Sequence, residues 1–251
     1  MKKFLLPVLL ITFYSSNAQA NNPDSLTEEK KNLIRIVGSL VKGLSKNALD
    51  EGRTDAGSKS VLGNAAKEVL KGTARRSADK ILRGEVDIRN GIKLPDLLEQ
   101  KRELFKQKGK EILLDNFQQS LREASQNALR NTVLKMAEKA IDFDVEDLVR
   151  FAGSDTMAIT DVFKNAKQST LVEVAKPIAK SAFKLAGGNK TFKKLKKTYN
   201  KLSDEKLDLN NEDLIAEKIT GIFLEEMKAQ EQQLKNNPLN LLDTLINLFK
   251  Q

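Results

Sequence analysis

The chain of 251 residues contains no cysteine, no histidine and no tryptophan. Without cysteine there are no disulfides, no thiolate nucleophile and no iron–sulfur ligands. Without histidine the commonest general base and the commonest transition-metal ligand are missing. Aromatic residues make up only 5% of the chain, which is thin provision for stacking nucleic-acid bases. An enzyme on this scaffold would have to work with carboxylates, lysines, hydroxyls or tyrosine. No metal, cofactor or catalytic residue is expected.

Long apolar runs are equally scarce. The one at the start, "MKKFLLPVLLITFYSSNAQANN", is too short to span a bilayer, which takes about twenty residues. Lys2 and Lys3 precede the apolar segment Phe4 to Tyr14, and "AQA" ending at Ala20 is a small-x-small cleavage signal. This pattern predicts a secretory signal peptide over 1–20, and hence a soluble periplasmic protein. With no cysteine after the cleavage point, a lipoprotein anchor is excluded. The mature chain, 21–251, is long enough to bury a substantial core.

What remains is helical in period almost throughout. Leu33, Ile36, Val37, Leu40, Val41 and Leu44 recur at three and four, which predicts an appended amphipathic helix within 21–49. "DEGRTDAGSKS" at 50–60 reads as a flexible linker. From 61 to 251 the pattern predicts one all-helical domain. Its helices are expected near 61–83, in a hairpin over 96–140, from a cap at Asp144 to Gly153, from Ser154 or Asp155 to about Lys167, and then near 169–186, 190–202, 211–235 and 239–249. Phe105, Ile112, Leu113, Phe117, Leu121, Leu129, Val133 and Met136 form the expected inner face of the hairpin, with Gly109 as a break. Pro177 inside a helix predicts a kink. No segment shows convincing strand alternation. The expected fold class is all-α, a multi-helix bundle of about eight or nine helices.

"KTFKKLKKTYNK" at 190–201 is the densest run of charge, six lysines in twelve positions. At 100° per residue Phe192, Leu195, Tyr199 and Leu202 fall in one stripe. Lys190, Lys193, Lys194, Lys197 and Lys201 point the other way, with Lys196 at the margin. That is the layout of an ordinary surface helix. The charge is nonetheless lopsided: Lys164 to Lys201 carries eleven lysines and one acid, Glu173. That stretch is +10, while the rest of the mature chain sums to −3. The field suits weak contact with an anionic membrane surface. The stretch contains no arginine, and lysine lacks the planar fork that reads phosphate or base edges bidentately, so no nucleic-acid partner is expected.

Other motifs have plainer explanations. "GGNKT" at 187–191 lacks the spacing of a phosphate loop and no strand precedes it, so it reads as a helix stop. Ser77/Lys80 and Ser181/Lys184 match S-x-x-K without the companion motifs of that chemistry. "DFDVED" at 142–147 and "DLNNED" at 208–213 lack the glycine and glutamate of a calcium loop and read as acidic helix starts. The final "NPLNLLDTLINLFKQ" presents a wide apolar face, suited to docking on the bundle, a membrane or a partner groove.

Five segments in order, "IKLPDLLEQ" (92–100), "DNFQQSLREAS" (115–125), "GSDTMAITDVFK" (153–164), "KTYNKL" (197–202) and "EKITGIF…EQQLKNNP" (217–238), resemble the bacterial exported proteins of domain-of-unknown-function family 4197. The resemblance covers roughly 62–249. It implies an all-α secreted domain with no established activity, cofactor or catalytic residues. The family pattern Leu-x-x-Thr-Tyr-Asn-Lys falls on Leu195, Thr198, Tyr199, Asn200 and Lys201. The family has a mixed polar set where Lys193, Lys194 and Lys196 stand, so the dense lysine face is this chain's departure.

Three functional classes follow. The first is a periplasmic binding or interaction protein holding a lipid tail, or the apolar face of an envelope protein, with Pro177, Tyr199 and Asn200 as ligand or partner contacts. The second is a peripheral envelope factor that uses the basic surface of Lys190, Lys193, Lys194, Lys197 and Lys201. The third is an enzyme of hydrolase type built on carboxylate, tyrosine or lysine.

Overall fold

A computed structural model describes residues 56–143 and 159–236. Among the described residues every regular element is a helix: α1 (Ala56–Arg83), α2 (Ile88–Gly91), α3 (Asp96–Glu99), α4 (Arg102–Gln107), α5 (Ile112–Ile141), α6 (Ile159–Leu185), α7 (Gly188–Leu202) and α8 (Asn211–Asn236). The all-α reading is thereby met. The expected helices at 21–49 and 239–249, and the caps at Asp144, Ser154 and Asp155, lie outside the described residues.

The described residues divide into two compact units. The smaller holds 56–72, Phe143, 159–162 and 230–236; the larger holds 73–142 and 163–229. In the larger unit α5 is the central element, and α7 and α2 pack on it. Its buried positions Leu114, Phe117, Leu121, Ala124, Ala128, Leu129 and Val133 recur at three and four, as a helix must to keep one face toward a core. Phe105, Leu129, Val133 and Met136 are buried as the pattern predicts. Ile112 is not: it is 60% exposed, and Leu114 fills the inward register in its place. The seam that Phe117 and Leu121 define passes through 114, not 112.

Glycine sets the ends. α4 stops at Gly109, whose φ of +62° suits a residue without a Cβ. Its N–H donates to the Lys106 carbonyl (2.9 Å) and that of Lys110 donates to the Phe105 carbonyl (2.8 Å), the paired bonds of a left-handed helix end. Gly84 closes α1 in the same way, with bonds to Ile81 and Lys80.

Three boundaries differ from expectation. Residues 56–60 of the expected linker are helical, within α1; Ala56, Ser58 and Lys59 offer no obstacle to helix and Gly57 is tolerated at modest cost. The first arm of the hairpin is broken into α3 and α4. The expected interruption near 167–169 does not exist, since α6 runs unbroken from Ile159 to Leu185. The polar stretch around Lys167 to Thr170 is only a solvent-facing turn, and Phe163, Leu171, Ala175 and Ala179 carry the buried stripe across it. Pro177 is tolerated inside this helix on its exposed side.

Candidate functional site: the lysine-faced helix and its flanking cleft

α7 begins where the chain turns sharply after α6. Gly187, at φ +69°, is its N-cap and supplies no side-chain hydrogen bond. Gly188 is buried so tightly that a Cβ there would overlap the Phe183 ring. That ring meets Phe117 edge-on at 6.2 Å between centroids, and Phe117 also stacks at a tilt on Phe192, at 5.5 Å. The glycine therefore lets α7 start close against an aromatic cluster that joins it to α5 and α6.

The wheel drawn from sequence holds in space. Leu195 and Tyr199 are fully buried, while Phe192 and Leu202 are half-buried. Lys190, Lys193, Lys194, Lys197 and Lys201 are all exposed. None of the five makes an ion pair among the described residues. Lys196, at the margin, places its Nζ 6.0 Å from the Phe192 ring centroid and 4.0 Å from an Asp208 carboxylate oxygen.

Pro177, Tyr199 and Asn200 do not converge on a binding site. Pro177 is exposed. Tyr199 is 0% exposed and offers no surface to a ligand; its hydroxyl is buried without a hydrogen-bond partner. The Asn200 Oδ1 accepts the Leu207 N–H at 2.8 Å and fastens the loop after α7. Tyr199 packs in the core beneath α7, and Asn200 fastens the exit of the helix.

Beside the start of α7 lies a cleft of about 590 Å³. One wall comes from the end of α6 and the start of α7, with Lys180, Phe183, Lys184 and Asn189; the other comes from residues 208–212. The second wall is the "DLNNED" segment, and it is a helix start. Asn210 Oδ1 accepts the N–H groups of Glu212 (3.1 Å) and Asp213 (3.3 Å), while its amide donates to the Asp213 carboxylate (2.7 Å). The two first-turn acids face lysines of α6. Lys180 pairs with Glu212 at 2.9 Å, and Lys176 pairs with Glu173 at 2.6 Å and Asp213 at 3.1 Å. Those two carboxylates, Glu173 first, raise the pKa of Lys176 above the ordinary lysine value.

The S-x-x-K pair near the end of α1 is not a dyad. The Ser77 hydroxyl donates to the Thr73 carbonyl at 2.7 Å, and Lys80 Nζ lies 2.9 Å from the Glu226 carboxylate. Among the described residues no cluster of three or more acids is placed to hold a metal ion, and no helix is long and apolar enough to cross a membrane.

The family described as "Protein of unknown function (DUF4197)" matches residues 56–249. The chain belongs to this family. No match to it was found among curated proteins or among solved structures. The DUF4197 match starts at Ala56 rather than at the 62 that the sequence resemblance suggests.

Two of the segments that carry the DUF4197 resemblance meet in the smaller unit. Glu231, in "EQQLKNNP", is 1% exposed. Its two carboxylate oxygens accept the backbone N–H groups of Ile159 and Thr160, in "GSDTMAITDVFK", each at 2.9 Å. A buried acid from α8 thus caps the start of α6, where the helix dipole favours negative charge. No local motif announces this contact, because its partners lie 72 and 71 residues apart. Arg102 is a second centre missed from sequence. It binds Glu99 through two nitrogens (2.7 and 3.3 Å), and also Glu111 (3.2 Å) and Asp115 (2.9 Å). These carboxylates, Glu99 first, raise its pKa still further above the ordinary arginine value.

Proposed function

We propose that this DUF4197 protein is a non-enzymatic interaction protein of the cell envelope, exported by its leader, which lies against an anionic surface through the lysine face of α7. One observation carries the reading. Five lysines, Lys190, Lys193, Lys194, Lys197 and Lys201, stand exposed on one side of a single helix with no ion-pair partner among the described residues. Their field is not cancelled locally, and each contributes about 1 kcal/mol near an anionic lipid surface. The groups that an enzyme of this composition would draw on are instead engaged in holding the fold, as with Ser77, Lys80, Arg102 and Glu231.

The test is flotation with vesicles of phosphatidylglycerol and phosphatidylcholine. Protein is expected to float with the anionic vesicles at low salt and to be released near 1 M salt, where the screening length falls to about 3 Å. Replacement of all five lysines by glutamine is expected to abolish flotation without altering the helical spectrum. Equal flotation with neutral vesicles, or flotation indifferent to salt and to the five substitutions, would sink the reading. Export is checked by the N-terminal residue of protein recovered from the periplasm, expected to be Asn21.

A second reading, engagement of a partner's apolar face, draws on one feature of the larger unit. An open groove of about 540 Å³ has Val86, Gly221 and Ile222 along it, rimmed by Glu217, Lys218 and Glu225. Its open form and charged lining suit a segment of another protein better than a free lipid tail. Cross-linking from position 222 in intact cells tests it. A discrete adduct is expected, and its absence under conditions that label the lysine face would count against it.

A further inference from the structure

Four large apolar side chains stand exposed among the described residues, and one differs from the rest. Leu82 is 41% exposed, Leu134 56%, Ile112 60% and Leu185 83%. The first three sit among mixed charge. Asp79 and Glu85 flank Leu82, Glu111 and Asp115 flank Ile112, and Glu138 follows Leu134 by one turn. Leu185 has no such neighbours: from Val174 to Ser203 the chain holds nine lysines and no acid. A single exposed leucine is ordinary. A leucine almost wholly in solvent within the most basic stretch joins the two features that a bilayer interface rewards, apolar area and positive charge.

Its place in the fold is a second observation. Leu185 is the last residue of α6, and α7 begins three residues later at Gly188. Gly187 turns the chain at φ +69°, and the tight seat of Gly188 against the Phe183 ring holds the two helices together there. The leucine is thus carried on a braced corner rather than on a long loop. Lys184 beside it makes no ion pair among the described residues, and Lys190, Lys193 and Lys194 follow, all exposed, in the first two turns of α7. Two acids, Asp208 and Glu212, line the same cleft as Lys184. Glu212 is taken by Lys180 at 2.9 Å and Asp208 is met by Lys196 at 4.0 Å, so the corner keeps a surplus of positive charge.

We propose that the corner between α6 and α7 penetrates an anionic lipid bilayer, with Leu185 among the acyl chains and Lys184, Lys190, Lys193 and Lys194 at the headgroups. The role of this corner rests on the reading of the lysine face as a membrane contact, and it fixes where on that face the bilayer is entered. Burial of one leucine is worth about tenfold in partition, between the effects of one lysine and of two near an anionic surface. Neither the leucine nor a few lysines would hold the protein alone, and together they give reversible attachment. With the charges screened at high salt, a single leucine is too weak an anchor, so release by salt is retained.

The chain has no tryptophan, so Leu185→Trp and Leu134→Trp each carry a single reporter, one at the corner and one on the exposed side of α5. The probe is vesicles of phosphatidylglycerol and phosphatidylcholine at low salt, with and without bromine on the acyl chains. Emission from position 185 is expected to shift to shorter wavelength on binding and to be quenched by the brominated chains. Emission from position 134 is expected to stay as it is in buffer. Leu185→Ser is expected to weaken vesicle binding by about tenfold, with an unchanged urea midpoint, because the side chain is nearly all in solvent already. Wild-type protein that floats with the vesicles, while position 185 shows neither shift nor quenching or Leu185→Ser binds as well as wild type, overturns the insertion and leaves the lysine-face reading standing. Equal quenching at 185 and 134 also overturns it, since the corner would then not be the point of entry. Wild-type protein that does not float overturns both.

Discussion

Glu231 and Ile159 are joined by a hydrogen bond of 2.9 Å from a backbone N–H to a buried carboxylate oxygen, and Thr160 donates at the same distance to the other oxygen. A helix start normally finds its acceptor within the preceding few residues. Here it comes from another helix more than seventy residues later. The start of α6 and the end of α8 are therefore one hydrogen-bonded feature, and ordering either requires the other.

The energetic consequence is direct. Glu231→Ala strips two donors of their acceptor, and is expected to cost about 3 kcal/mol in chemical denaturation. Glu231→Gln keeps one oxygen and loses the charge, and should cost about half as much. Hydrogen exchange at 159–162 should accelerate in both variants. A Glu231→Ala protein with wild-type stability and unchanged exchange would show that the contact contributes nothing.

Two glycines should fail differently when given a methyl group. Gly188→Ala forces the Phe183 ring aside, and overpacking of this kind costs about 1–3 kcal/mol. Trimming the ring in Gly188→Ala/Phe183→Leu should recover part of that loss. Gly109→Ala meets no neighbouring atom, and its cost of about 1 kcal/mol comes from the positive φ alone. A Phe183→Leu change therefore should not rescue it. Urea midpoints for the two single and two double variants separate the mechanisms, and equal rescue at both sites would contradict the distinction.

The helical content and most of the inward-facing residues were legible because they rest on local periodicity. Leu195, Tyr199 and the five outward lysines follow from a wheel, and a wheel is a property of one helix. The register of Ile112 against Leu114 was not legible from composition, since both are aliphatic and only the packing of α5 chooses between them. The continuity of α6 was obscured by a polar turn that carries no breaker. Tyr199 and Asn200 drew attention because the family pattern falls on them, yet one is core and the other fastens a loop. Glu231 and its backbone partners at Ile159 and Thr160 were out of reach for a different reason. They depend on which distant segments are brought together, and nothing in their own neighbourhoods records it.

The ion pairs of Lys176 set a pH dependence at the alkaline end. Its pKa is raised in the folded protein by Glu173 and then Asp213. A raised cationic pKa means that the folded state holds the proton more tightly than the unfolded one. The contribution is then complete below the ordinary lysine value and is lost as pH climbs through the raised one. Following the Lys176 side-chain resonance by NMR should give a midpoint above the ordinary lysine value. Asp213→Asn should bring it down toward the ordinary value. A midpoint at the ordinary lysine value would refute the pairing in solution.

The lysine face should trade stability for adhesion. Lys193, Lys197 and Lys201 lie four apart on α7, so like charges repel along the exposed side. Lys197→Glu replaces two repulsive pairs with attractive ones, and the glutamate stands on the favourable side of Lys201. Each new pair is worth about 0.3–0.5 kcal/mol, and with the repulsion removed the fold should gain about 1 kcal/mol in thermal or urea unfolding. The same change removes two units of positive charge from the surface, which at about 1 kcal/mol per charge weakens binding to phosphatidylglycerol vesicles by about thirtyfold at low salt. The two effects have opposite signs, which separates a direct role at a surface from an indirect one through folding. Were the variant less stable and also less adherent, loss of structure would account for both, and the lysines would have no claim to a function of their own.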